Sequence, residues 1–219
     1  MSRSRVLGLI PARGGSKRLP GKNLADLHGR SLLQRAIDAG LEARGVDRLV
    51  VSTDDPAIAD AARAGGAEVP FLRPPELATD EASSLDVVRH AMAWADQDEP
   101  GVFSHLVLLQ PTSPLRTAGD VEQTLDLCRG LGASTAVSVT PAPKPDLLMI
   151  GRDGVLARAS GHGQPLVLNG AVYVLGWDHV KNGGGFLAPD TRYHVMDEHR
   201  SLDIDTPGDL QRAAHLLKS

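Results

Sequence analysis

Cysteine is nearly absent. Cys128 stands alone among 219 residues, which excludes an internal disulfide and any cysteine-built zinc cluster and fits a reducing, cytoplasmic setting. Long apolar runs are missing as well: none approaches the ~20 residues of a membrane-spanning helix. Val6–Ala12, which follows Arg3 and Arg5, is cut by Pro11 and Arg13 at the short end of a signal-peptide core, so a first strand is the better reading. A basic surplus is also lacking, with 23 Lys and Arg against 27 Asp and Glu and a net charge of -4. A chain that binds nucleic acid is usually basic, so neither nucleic acid nor a membrane is an expected partner. There is no internal repeat and no low-complexity tail. Hydrophobic residues at 42% and charged residues at 23% are ordinary for a globular chain. The length suits one domain over residues 1–219, large enough to bury a core unaided.

What is present is an alternation of strands and helices. Val6–Ile10, Leu49–Ser52, Ala67–Phe71, Leu106–Leu109 and Ala136–Val139 read as strands. Between them, Ser31 opens a helix to about Arg44 with Leu32, Leu33, Ile37 and Leu41 on one side. Asp54 or Asp55 caps a second helix with Pro56 in its first turn. Leu85, Val88, Met92 and Ala95 share a face of a third, and Val121–Cys128 lies on a fourth. This is the α/β pattern: βαβ units, a mostly parallel sheet and helices on both faces. Ligands of such sheets bind where the strands' carboxyl ends emerge. The rhythm breaks after Thr140. Residues 141–170 carry Pro141, Pro143, Pro145 and Pro165 and read as an insertion, a hairpin or a dimerisation arm. Ala171–Leu175 and Arg192–Met196 resume as strands, and Thr206-Pro207 opens a last helix to about Leu217.

The strongest chemical signal is the loop after the first strand, Pro11 to Asn23. Gly14 and Gly15 let backbone N–H groups converge on an anion, and Arg13, Lys17, Arg18 and Lys22 place four cations within ten residues. The loop is not a Walker A motif: Gly15 to Gly21 is one residue too long, and Asn23 stands where Ser or Thr would hold magnesium. It contains no G-x-G-x-x-G either. A solvated basic loop would have the same composition; the strand–loop–helix context favours phosphate. A second signal is Asp203-Ile204-Asp205. Carboxylates at i and i+2 of an extended segment face one side and suit magnesium, although Asp205 or Thr206 could equally cap the last helix. Gln110-Pro-Thr-Ser-Pro-Leu-Arg116 follows the fourth strand as a stiff loop with fixed polar groups. Asn169-Gly170 precedes a later strand, where it could form a simple turn. The eight histidines are scattered without H-E-x-x-H spacing and read as structural or surface groups.

Taken in order, IPARGGSKRLPGKN (10–23), STDD (52–55), RPPELATDEASS (73–84), LLQPTSPLR (108–116), NGAVYV (169–174) and SLDIDT (201–206) run over nearly the whole chain. In that order the set resembles the cytidylyltransferases that make CMP-activated acidic sugars, above all the CMP-N-acylneuraminate synthetases and their legionaminate-type relatives. The CMP-Kdo synthetases share an RLPGK-like loop but lack QPTSPLR and NGAVYV, and rank second. The resemblance implies a nucleotide-sugar transferase sheet with a Rossmann-like first half. It implies that Arg13, Lys17, Lys22 and Asn23 hold the CTP phosphates and sugar, and that Arg73 and Ser84 lie at the cytosine or its ribose. Gln110, Thr112, Asn169, Tyr173 and Phe186 would line an acidic-sugar pocket, and Asp203 and Asp205 would bind Mg2+. Arg13, Lys17 and Asp205 would serve the chemistry.

The implied reaction joins CMP from CTP to the anomeric hydroxyl of a nonulosonic acid and releases pyrophosphate, in a homodimer whose arm at 141–170 reaches the partner. Two features depart from the family. The usual aromatic pair is reduced to Gly185-Phe186, and the stretch before Asn169 lacks the Arg-bearing segment that meets the substrate carboxylate. A cytidylyltransferase for another acid, such as Kdo or a phosphonate, and a non-catalytic nucleotide-binding module are the alternatives. The intact Lys17 beside an intact Asp203/Asp205 pair argues against the latter.

Overall fold

The computed structural model describes residues 4–142, 148–150, 156–158 and 165–218. Strands β1 (Arg5–Pro11), β4 (Arg48–Ser52), β5 (Phe103–Leu109), β6 (Thr135–Pro141), β9 (Leu166–Gly176) and β10 (Arg192–Val195) form one sheet in the order β10-β6-β9-β5-β1-β4. All are mutually parallel except β9, which runs antiparallel to both neighbours. Two short hairpins stand outside it: β2 (Asp26–Leu27) with β3 (Arg30–Ser31), and β7 (Leu148–Ile150) with β8 (Leu156–Arg158). The second lies within the segment 141–170 expected to leave the βαβ rhythm; the remainder of that segment up to residue 164 is largely outside the described residues. No helix among the described residues is long and apolar enough to cross a membrane.

Strand periodicity builds two cores. On β1, Val6 and Ile10 face one side and Leu7 and Leu9 the other. The first side is covered by α1 (Leu32–Glu42), α2 (Pro56–Ala64) and α4 (Ala118–Gly130), the second by α3 (Ser84–Asp98) and the short α5 (Trp177–Lys181). The last helix, α6 (Pro207–Leu216), makes a third small cluster through Ala213 with Leu27, Leu32 and Ile204. Each long helix begins on a side-chain oxygen: Ser31 Oγ accepts from Gln34 N at 3.0 Å, Asp55 Oδ1 from Ala57 N at 2.7 Å, and Ser83 Oγ from Asp86 N at 3.1 Å. Thr117–Asp120 and Thr206–Asp209 form capping boxes. Asp55 is thus the cap of α2, and Thr206 rather than Asp205 is the cap of α6.

Two expectations fail locally. Ala67–Phe71 is not a strand; it meets β4 in one isolated bridge, Glu68 with Val50, and a second bridge, Leu72 with Thr53, lies just beyond both segments. Glu68 exchanges backbone bonds with Leu49 and Val51, but the next inward residue is Pro70, which has no N–H to continue the ladder. Leu41 is not part of the core face and is 52% exposed. Gly40 takes the position against the sheet, where a Cβ would lie 2.8 Å from Leu49 Cδ1. The helix therefore sits close to β4 and Leu41 falls to its flank.

Candidate functional site

β1 and β5 are neighbours, and the chains that leave their carboxyl ends diverge: β1 leads towards β4 on one side, and β5 towards β6 and β9 on the other. Such a switch point opens a crevice. The two loops bordering it are 12–23 and 110–116.

The first loop is held by its own backbone and by β4. Ala12 N donates to Ser52 O at 2.9 Å, and Gly14 N donates to Asp54 Oδ1 at 3.0 Å. Gly14 lies so close to the α2 cap that a Cβ would meet Asp55 Oδ2 at 2.8 Å. At the far end, Gly21 adopts φ +67 and opens a 3-10 turn, Lys22–Leu24. There the buried Asn23 amide donates back to Arg13 O at 2.9 Å. Asn23 thereby closes the loop and fixes the direction of Arg13.

Arg13, Lys22, Asn23, Arg73, Ser84, Gln110, Thr112, Asp203 and Asp205 line one cleft, together with Ser16, Thr79 and Asp80. Its volume is about 360 Å³, within the range of roughly 300–1,000 Å³ usual for small-molecule sites. Arg73 is buried and donates to Ser52 Oγ at 3.0 Å, to Ser52 O and to Leu77 O at 3.5 Å. Burial pushes its pKa down to about 10 against the opposing pull of Asp54, so it stays charged at neutral pH. Asp203 is held above the usual carboxylate range, first by desolvation against the cleft wall and then by Asp205; a hydrogen bond with the Thr112 side chain and the charge of Lys22 pull the other way. Lys22 Nζ donates to Ile204 O at 3.0 Å and to Asp205 Oδ1 at 3.2 Å, and Arg18 Nη1 reaches Asp205 Oδ2 at 2.7 Å.

The segment that carries the two carboxylates is pinned from beneath. Ile204 N donates to Thr112 O at 2.7 Å, and Asn169 Nδ2 to Ser201 Oγ at 3.0 Å. The fully buried Asp120 takes Arg200 Nη1 at 3.0 Å and meets His194 Nε2 at 3.1 Å. Burial alone would raise the Asp120 pKa, but the Thr117 N–H and hydroxyl, His194 and Arg200 outweigh it and hold the carboxyl below its ordinary value.

Four residues expected at the site do not line the cleft. Lys17 is 81% exposed at the rim and pairs with Asp80. Asn169 is buried, with its Oδ1 accepting from Ser138 Oγ at 2.6 Å and from Ala171 N at 3.1 Å. It fills the irregularity where β6 and β9 lose register. Tyr173 and Phe186 pack on each other, ring centroids 5.0 Å apart, although burial and the nearby Asp203 raise the phenol's pKa. Conversely, sequence reasoning passed over Asp80 and Thr79, both on the cleft wall, and Asp54, which anchors Gly14. Asp80 and Thr79 lie inside RPPELATDEASS, but nothing in spacing says that a residue near 80 faces a loop near 15.

The donor set suits a hard divalent cation. Asp203 and Asp205 supply two carboxylates from alternate positions of one extended segment at the cleft. Among the described residues no group of three or more His, Cys, Asp or Glu side chains could hold a metal alone. Two carboxylates completed by water and phosphate oxygens is how magnesium is usually bound.

The family model described as Cytidylyltransferase matches residues 7–126. The CMP-N,N'-diacetyllegionaminic acid synthase of Legionella pneumophila is 35% identical over 98% of this chain and 97% of its own length. The N-acylneuraminate cytidylyltransferase of Escherichia coli O18:K1:H7 is 31% identical over 96% of this chain, which spans about half (52%) of that enzyme. Among solved structures, a CMP:2-keto-3-deoxy-manno-octonic acid synthetase complexed with CTP superimposes with a TM-score of 0.73 over 98% of this chain and 99% of that one, at 22% identity. At that identity the likeness speaks for the fold.

Proposed function

This chain belongs to the cytidylyltransferase family, and from that premise we propose that it transfers CMP from CTP to the anomeric hydroxyl of a nonulosonic acid of N-acylneuraminate or legionaminate type, releasing pyrophosphate. The observation that carries the reading is the cleft itself, which at the carboxyl ends of β1, β4 and β5 is lined by Arg13 and Lys22 of a glycine-rich loop, by the carboxylate pair Asp203 and Asp205, and by the buried cation Arg73. In the reaction the anomeric hydroxyl loses its proton and its oxygen bonds to the α-phosphorus as the bond from that phosphorus to the α,β-bridging oxygen breaks, so that pyrophosphate leaves. The protein's part is positioning and charge neutralisation. Arg13, Lys17 and Lys22 bind the phosphates, and Asn23 keeps their loop closed. Arg73 and Ser84 orient the cytidine, and Gln110 and Thr112 meet the acidic sugar, with Asn169, Tyr173 and Phe186 shaping the wall behind. Asp203 and Asp205 would hold Mg2+, which would supply positive charge to the phosphates.

The assay is pyrophosphate release with a panel of nucleotides and acids. CTP with a nonulosonic acid is expected to turn over, with UTP and ATP lower in kcat/KM by about two orders of magnitude or more, because the wrong base leaves buried polar groups unpaired. Equal turnover of UTP, or preference for Kdo, would overturn the assignment.

The same reading makes residues 1–219 one domain with an arm at about 141–170, in a cytoplasmic homodimer. Support comes from the β7–β8 hairpin outside the main sheet and from Leu168, Tyr193 and Val195, exposed by 46%, 57% and 47% on β9 and β10. A dimer mass by light scattering is expected; a fully active monomer would sink the arm.

A further inference from the structure

One carboxylate in the cleft has no part in the proposed reaction. Asp80 lies on the loop between the 3-10 turn Pro75–Leu77 and α3, and lines the cleft. Its Oδ1 takes Arg13 Nη2 at 2.7 Å, and its Oδ2 takes Lys17 Nζ. The contact is reinforced next door, where Arg13 Nη1 donates to Thr79 O at 2.9 Å. Two cations assigned to phosphate thus converge on the two oxygens of a single internal anion, which comes from the opposite wall. Their hydrogen bonds, Lys17's first and Arg13's second, hold the Asp80 carboxyl below its usual range. A carboxylate with one oxygen on each cation matches the way a phosphate group would span them.

We infer that Asp80 is a specificity-determining internal anion: it occupies the phosphate position at Arg13 and Lys17, yields it to a polyphosphate, and reclaims both cations as pyrophosphate leaves. The inference rests on the reading of Arg13 and Lys17 as phosphate ligands. The physical basis is competition. An incoming anion must displace a carboxylate tethered beside its cations, so a weakly charged ligand is disfavoured relative to a triphosphate, which has several charges along its chain. Both ion pairs are solvent-exposed, and such pairs are individually weak. Displacement therefore tunes affinity by several-fold instead of forbidding entry. The same competition acts on product, since every pyrophosphate that lingers keeps Asp80 from its partners.

The test is calorimetric binding of CTP, tripolyphosphate and pyrophosphate to the wild-type chain and to Asp80→Asn, with pyrophosphate inhibition of turnover measured alongside. The variant is expected to bind all three about 3–10-fold tighter, as loss of two exposed ion pairs allows, and to be inhibited by pyrophosphate at correspondingly lower concentration. Asp80→Glu, which keeps the carboxylate, should stay near wild type, and Asp80→Ala should follow Asp80→Asn. Weaker or unchanged binding of the polyphosphates in Asp80→Asn overturns the inference; weaker binding would make Asp80 a support that holds Arg13 and Lys17 in place. If the wild type fails to bind CTP while tripolyphosphate still binds tighter to the variant, the nucleotide reading falls and the internal anion stands.

Discussion

Chelation of divalent cations is expected to abolish pyrophosphate release from CTP, and added magnesium to restore it. The charges that line the cleft make this expectation. Arg13, Lys22 and Arg73 are matched by Asp80, Asp203 and Asp205 among the residues that line the cleft, and Lys17 at its rim is paired with Asp80, so a triphosphate entering without a metal meets little uncompensated positive charge, and pyrophosphate must leave carrying still more negative charge. Arg18 and Lys22 are moreover already engaged with Asp205. A divalent cation held by Asp203 and Asp205 would remove the deficit, and manganese should substitute because it accepts the same oxygen donors. Asp205→Asn should lower kcat by about two to three orders of magnitude, the scale set by loss of one preorganised electrostatic contact. It should leave the melting temperature nearly unchanged, because α6 is capped by Thr206 and not by Asp205. Turnover that persists in chelator would return the pair to a structural role.

Lys17→Ala is expected to reduce kcat by about two orders of magnitude with little change in the KM for CTP. The charge on Lys17 is wanted most as the pyrophosphate oxygens gain negative charge, and a contact that strengthens in the transition state appears in kcat. The fold makes this a clean experiment. The side chain is 81% exposed and its ion pair is with Asp80 at the rim, so truncation opens no cavity and strands no buried group. Stopped-flow measurement of a single turnover would separate chemistry from release. A raised KM with near-normal kcat would make Lys17 a ground-state ligand only.

Much of the site was legible because its residues cluster in short runs. Gly14, Lys22 and Asn23 sit in one loop after one strand, and the alternation of Asp203 and Asp205 is a property of extended backbone. Asn169 shows the limit. Its motif is as distinct as the others, yet its amide is occupied by Ser138 and Ser201, and a strand irregularity that demands such a filler cannot be read from spacing. Asp80 shows the converse: an unremarkable acid becomes a cleft residue because the chain returns across the mouth of β1. Ala67–Phe71 was misread for a different reason. Its composition suits a strand, but one missing N–H at Pro70 decides whether a ladder continues.

By itself the sequence determined most of the elements, their alternation and where most helices begin, because these follow from periods of two and 3.6 residues and from hydrogen bonds within a few positions. The tertiary structure alone decided the antiparallel placement of β9, the crevice between β1 and β5, the burial of Asp120 beneath the Arg200 segment and the meeting of Asp80 with Arg13 and Lys17. Those depend on strand order and on contacts between residues dozens of positions apart, and no local pattern in the chain carries that information.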